Sequence, residues 1–232
     1  MRTGDKIVLA WCDPGQVAGE FAHSLATLVA QRGDRLAAVV RREGSGLLSK
    51  VRNEIVASFL DDTKAEWLFM VDSDHHIALP AFDRLVAAAH EKAVPVVGGL
   101  YFGAYATPQQ LYPAPIPVMF RLADGDLYTA VMEFPADALI EVDAAGTGCL
   151  LVHRSVLERI RQLASPDQGP NYCWFIDGPV NGVWRGEDIN FARRIKETGA
   201  PIQVHTGAVL PHLKRYWLTQ EHHRAWWDSL SD

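Results

Sequence analysis

Two pairs of carboxylates and a late histidine are the residues of this sequence whose types and spacing could carry chemistry. Asp72 and Asp74, separated by Ser73, follow the apolar run Trp67-Leu68-Phe69-Met70-Val71. Such a run, with aromatic and β-branched members, reads as a buried strand. Carboxylates at its carboxyl end stand where open α/β sheets bind ligands, in the crevice beyond the strand ends. A small spacer lets both converge on one hard cation, which takes oxygen ligands and keeps positions open for water and phosphate. Taken alone, the pattern also suits ordinary turn and capping residues. Glu187 and Asp188 open a later helix, either as acidic residues favoured by the helix dipole or as carboxylates at the rim of a crevice, where a general base belongs. His212, with Lys214 and Arg215 just beyond it, reads as a metal ligand beside phosphate-binding cations or as a structural histidine. His75 and His76 read as a solvent-facing pair, with a supporting role behind the metal ligands as the alternative for His75.

Other residues could complete such a site. Arg52 offers a planar fork of donors for a phosphate or nucleobase, or pairs with a glutamate on an exposed helix. Asp13 stands at the end of a first strand, in a position that a turn or cap residue also fills. Gly146 and Gly148 leave room for a bulky group beside the Thr147 hydroxyl, or form a bulge. Gly98-Gly99 suits a place where backbone comes close to a ligand or to another strand.

These residues need elements to position them. Ile7 to Cys12 reads as the first strand, ended by Asp13-Pro14-Gly15, and apolar positions at helical spacing predict a helix over Val17 to Gln31 stopped by Gly33. Leu36 to Val40 is a second strand, and the stretch from Gly44 to Leu60 starts flexibly and becomes a helix carrying Arg52. Beyond the central strand, a helix over Pro80 to Lys92 and a strand over Pro95 to Tyr101 are expected. Ala104 to Pro117, rich in Pro, Tyr and Gln, reads as a long irregular excursion, followed by a hairpin of Val118 to Leu122 with Leu127 to Val131 across Asp124-Gly125. Cys149 to His153 is a buried strand leading into a helix over Ser155 to Leu163 capped by that serine. Ser165 to Trp184 reads as a loop with Tyr172, Trp174, Phe175 and Trp184 as platforms for rings or as pins to the core. After the helix at Glu187, Pro201 to Val204 is a last strand, and an amphipathic aromatic tail begins at Tyr216.

Composition sets the outer bounds. A chain of 232 residues that is 48% hydrophobic and 22% charged is most simply one folded domain. A formal charge of -6 and a pI near 5.8 argue against a general nucleic-acid-binding surface. Cys12, Cys149 and Cys173 are odd in number and widely spaced, which argues against a disulfide or zinc framework and for a reducing compartment. No run is long enough for a membrane span, so a cytoplasmic protein is expected.

The order of the motifs resembles the GT-A glycosyltransferases, especially the family 2-like members. The resemblance rests on Arg52-Asn53, Asp72-Ser73-Asp74, Gly98-Gly99, Gly146-Thr147-Gly148 leading into Cys149-Leu150-Leu151, Gly186-Glu187-Asp188, and His212, and it runs from about Ile7 to Lys214. It implies an α/β fold: one GT-A, Rossmann-like domain over residues 1–215, with a mixed, mostly parallel central sheet flanked by helices. Residues 216–232 would form an aromatic helical tail packed on that domain. It further implies Mn²⁺ or Mg²⁺ held by Asp72, Asp74 and His212. A nucleotide-diphosphate sugar, UDP- or GDP-linked, would lie along Asp13, Arg52, Asp72, Gly146, Thr147, Gly148 and Lys214. Asp188 would be the base of an inverting transfer to an acceptor hydroxyl on a glycan, protein or small molecule, and Glu187 its neighbour in acceptor binding. Two other functions share parts of this pattern, a nucleotidyltransferase and a non-catalytic sugar-nucleotide or glycan-binding module. Against the first, Asp13-Pro14-Gly15-Gln16 carries no basic residue to hold a triphosphate.

Overall fold

The computed structural model describes residues 1, 5–44, 46–106 and 112–230. The readings that touch residues 2–4, 45, 107–111 and 231–232, parts of the amino terminus, the Gly44 stretch, the proline-rich excursion and the tail, lie outside the described residues.

The first half of the chain alternates strands and helices: β1 (Ile7–Asp13), α1 (Gly19–Arg32), β2 (Leu36–Glu43), α2 (Leu48–Asp62), β3 (Trp67–Val71), α3 (Leu79–Ala88) and β4 (Val96–Leu100). An excursion of short strands follows: β5 (Phe102–Tyr105), β6 (Ala114–Pro117), β7 (Met119–Ala123), β8 (Leu127–Ala130), β9 (Leu139–Val142) and β10 (Ala144–Ala145). The chain then runs through β11 (Cys149–His153), α4 (Arg154–Leu163), β12 (Gly178–Val180), β13 (Val183–Arg185), α5 (Glu187–Glu197), β14 (Ile202–Val209) and α6 (Gln220–Asp228).

Seven strands form the central sheet in the order β2-β1-β3-β11-β4-β14-β9. β1 is parallel to β2 and β3, and β14 to β4, whereas β11 opposes β3 and β4 and β9 opposes β14. The mixed α/β sheet expected from the sequence is present, with more antiparallel pairing than expected. The cause is the excursion after β4, which leaves the carboxyl end of the sheet and re-enters from that same end, so β11 runs against its neighbours. That reversal sets Cys149 beside Val71 and brings Gly146-Thr147-Gly148 to the carboxyl end of β3.

All five residues of β3 are buried because both sheet faces are covered. Leu68 and Met70 face a core with Ile55, Val56, Phe59, Trp174 and Phe191, while Trp67, Phe69 and Val71 face one with Phe21, Leu28, Phe82 and Leu85.

Several boundaries differ from the sequence reading. Helix α4 starts at Arg154, and its cap is His153, whose side chain accepts from the Ser155 amide; Ser155 is already inside the helix. Helix α3 ends at Ala88 because His90 and Val94 pair their backbones in a turn ahead of Pro95. The expected excursion contains a β5–β6 hairpin, and the loop before Glu187 ends in a β12–β13 hairpin, while β7 and β8 pair as predicted. A Cβ on Gly99 would lie 2.7 Å from Cys149 Sγ and 2.8 Å from Leu210, so strand packing accounts for that glycine. No residue of α6 is buried, and among the described residues no helix is long and apolar enough to cross a membrane.

Candidate functional site

The carboxyl end of β3 is built from both sides. Asp72 donates its amide to the Gly148 carbonyl at 3.0 Å, which ties the end of β3 to the start of β11. On the other flank α2 presents Arg52, whose side chain is only 5% exposed. Its Nη2 donates to Asp72 Oδ1 at 2.8 Å, and its Nη1 donates to Glu187 Oε1 at 2.6 Å and Asp188 Oδ1 at 2.7 Å. Thr147 Oγ1 donates to the same Asp188 oxygen at 2.6 Å. One buried guanidinium therefore gathers three carboxylates, one just past β3 and two at the start of α5. Burial and the neighbouring Asp188 push Glu187 up to about 7, against the opposing pull of Arg52.

The next residue of the Arg52-Asn53 motif explains why the acidic loop is in reach. Asn53 Oδ1 accepts from the Trp174 and Phe175 amides, both at 3.1 Å, and its Nδ2 donates to the Ser49 and Phe175 carbonyls. Trp174 and Phe175 are thus pins to the core. Helix α5 follows from this anchored segment, with the Glu187 amide donating to Asp177 Oδ1.

A second cluster lies beside the first. Past Val71 the chain turns back and pairs with the segment after β14: His76 N donates to Pro211 O at 2.9 Å and Leu213 N to Asp74 O at 2.8 Å. This brings Asp74, His75 and His212 together, with one possible ligand atom from each all within 4.8 Å. His212 Nε2 lies 3.2 Å from Asp74 Oδ2, and His212 Nδ1 lies 2.8 Å from the Phe102 carbonyl. A carbonyl only accepts, so Nδ1 carries the hydrogen and Nε2 is the atom presented to Asp74. His75 is 1% exposed, contrary to the solvent-facing expectation, and stacks on His212 with ring centroids 4.2 Å apart. Burial, and then the charge of His212, push it down to about 4. Neither of its ring nitrogens has a hydrogen-bond partner among the described residues, although Nδ1 lies 3.5 Å from Asp74 Oδ1. Burial raises Asp74, but the His212 hydrogen bond and the His212 and Lys214 charges prevail and hold it at about 2.

A carboxylate with one buried imidazole whose nitrogens lack partners and a second imidazole in reach is a donor set that fits a divalent cation. Phe102 fixes the His212 ring so that Nε2 faces Asp74, with the His75 ring stacked against it.

Gly148 joins the two clusters. A Cβ there would lie 2.7 Å from Asp72 Oδ2 and 2.9 Å from His75 Cε1. Tyr101, which carried no signal in the sequence, accepts from Gly148 N at 3.2 Å and sets its ring edge-on to His75 and His212. Lys214 lies 3.3 Å from Asp74 Oδ2 and is 40% exposed. A cleft of about 480 Å³ opens beside Asp74 and His212, lined also by Glu20 and His76.

The residues expected along a ligand are not all free. Asp13 stands at the end of β1, but its carboxylate is buried and accepts from Trp11 Nε1, Gly15 N and the Nε and Nη2 of Arg41. Arg52 is likewise taken up by Asp72, Glu187 and Asp188, and Asp72 by Arg52 rather than by the Asp74 cluster. A larger apolar groove of about 850 Å³ runs between α1 and β2; its one charged residue, Arg41, is bound to Asp13, and it holds none of the clustered acids or histidines.

No known family model and no curated protein matches the chain. Among solved structures, A197 from STIV aligns over 94% of this chain and 99% of its own, with a TM-score of 0.55 and 18% identity. A glycosyltransferase involved in glycosylation of the major capsid of PBCV-1 aligns over 66% of this chain and 62% of its own, with a TM-score of 0.37 and 13% identity. The first is a likeness of fold, and the second is too distant to carry weight.

Proposed function

We propose that this protein is a metal-dependent glycosyltransferase, family 2-like, that moves a sugar from a nucleotide-diphosphate donor, UDP- or GDP-linked, to an acceptor hydroxyl with inversion. The supporting observation is the meeting, across Gly148, of a cation-binding cluster, Asp74-His75-His212, with an acidic cluster, Asp72-Glu187-Asp188. Asp74 and His212 would hold the ion, Mn²⁺ or Mg²⁺, with His75 backing them. When bound, that ion supplies Lewis-acid neutralisation of the charge growing on a leaving diphosphate.

The chain's own groups do the rest. Lys214, exposed and paired with Asp74, turns to a phosphate. Asp72 borders the donor sugar, with the buried Gly146-Thr147-Gly148 strip behind it. Asp188, a third exposed, takes the acceptor proton, and Glu187 helps to seat the acceptor. Asp13, locked by Arg41, shapes the turn at the nucleoside end. Residues 1–215 form the catalytic domain and 216–232 an appended tail; free Cys12, Cys149 and Cys173 suit a reducing, cytoplasmic setting.

Thermal unfolding with UDP, GDP, CDP or dTDP, each with and without Mn²⁺, tests the binding half of this reading. Ligand at a hundredfold excess over its Kd stabilises by about 2.7 kcal/mol. Stabilisation by one nucleotide only with Mn²⁺ supports it; none with any of them, in folded protein, removes it.

A further inference from the structure

We infer that Arg52 is the positioning residue for proton transfer: with Thr147 it pins one oxygen of Asp188 and turns the other toward the acceptor. The inference rests on the glycosyltransferase reading and gives that reading an atom-level base. Asp188 Oδ1 accepts from Arg52 Nη1 at 2.7 Å and from Thr147 Oγ1 at 2.6 Å. Asp188 Oδ2 has no hydrogen bond among the described residues, and the side chain is 33% exposed. With two donors on Oδ1, its lone pairs are committed, so Oδ2 is the basic oxygen. The acceptor O–H bond breaks as Oδ2–H forms, and the oxygen's electron pair attacks the anomeric carbon. The bond from that carbon to the diphosphate breaks, and its electron pair leaves with the diphosphate.

Arg52 is suited to this work and to little else. Its side chain is buried, lies over the Phe175 ring, and spans acids on two elements through a rigid fork. It does not reach solvent, where a phosphate would arrive. The groups facing Asp188 are Arg52 from α2, Asp72 after β3, Tyr101 after β4, Thr147 ahead of β11 and Glu187 on its own helix, with Cys12 of β1 behind Arg52. Among them Arg52 is the single cation. Removing it leaves the carboxylates without a counter-charge, which favours their protonated forms.

The test uses the full chain with Mn²⁺ and a panel of UDP-, GDP-, CDP- and dTDP-sugars, following nucleotide release, with ¹³C carboxyl NMR titration as a readout that needs no turnover. Arg52→Gln should lower kcat by about a hundredfold with little change in donor KM. The acid limb of its pH profile and the titration of the neighbouring Glu187 carboxyl, which Arg52 pulls down, should both move to higher pH. Arg52→Lys should rescue only in part, because an ammonium cannot span both arms. Thr147→Val, which leaves the charge in place, covers the case in which Arg52→Gln does not fold; it should lower kcat about tenfold and move the limb in the same direction by less. An active wild type whose acid limb and carboxyl titration stay fixed in the folded variants overturns the role of Arg52 alone. Wild-type protein that releases nucleotide from no donor removes the function and the inference together.

Discussion

His75 lies flat against His212, ring planes 12° from parallel, while both of its own nitrogens go without a hydrogen-bond partner among the described residues. A buried imidazole in that state awaits a partner that protein atoms do not supply. His75→Phe keeps the stack and removes both nitrogens. It should weaken Mn²⁺ binding by about 10-fold to 100-fold, the cost of losing a supporting partner of a metal ligand. Calorimetric titration with Mn²⁺ measures this, and unchanged affinity would mean that His75 serves packing alone.

Gly148 leaves no room for a side chain between Asp72 and His75. Gly148→Ala places a methyl 2.7 Å from Asp72 Oδ2 and 3.1 Å from the Tyr101 hydroxyl. The variant should lose about 1–3 kcal/mol in denaturant unfolding and bind Mn²⁺ less tightly. Wild-type values for both would show that the two clusters are not coupled through this residue.

Glu187 makes stability depend on pH. Its folded value, raised by burial to about 7 from an ordinary 4.5, means that the folded state holds the proton more tightly. Its contribution is complete below pH 4.5 and is lost as pH rises toward 7. Glu187→Gln, which cannot titrate, should flatten the decline in stability across that window. Parallel curves for wild type and variant, from unfolding at a series of pH values, would refute the assignment.

Asn53 carries a structural load beside the chemical one of Arg52. Asn53→Ala strands the Trp174 and Phe175 amides in a buried place, and should cost about 2–4 kcal/mol. Because the segment leading to α5 is anchored there, activity should fall even at temperatures where the variant remains folded. A stability loss within experimental error would show that the loop is held by its aromatic side chains instead.

The sequence made some of this legible and hid the rest for physical reasons. The Trp67–Val71 strand stood out because burial on both faces writes itself as an unbroken apolar run. The same feature hid the direction of β11: a short strand buried on both sides has no period, and nothing local tells parallel from antiparallel. The hairpins β5–β6 and β12–β13 were masked by proline and glycine, which obscure two-residue alternation. Arg52 was visible as a guanidinium, yet its work depends on acids 20, 135 and 136 positions away. From sequence alone His75 reads as one of a solvent-facing pair with His76. Only the pairing of its segment with that of His212 buries it.

The central claim is that Asp74 and His212 hold the ion that enables sugar transfer. The most direct measurement is nucleoside diphosphate release from UDP-, GDP-, CDP- and dTDP-sugars by wild type and Asp74→Ala, each with Mn²⁺ and with EDTA. The account predicts release by wild type only with Mn²⁺, from one nucleotide class, and a loss of several kcal/mol in transition-state stabilisation for Asp74→Ala. Equal release by the variant, or full wild-type release in EDTA, would contradict it.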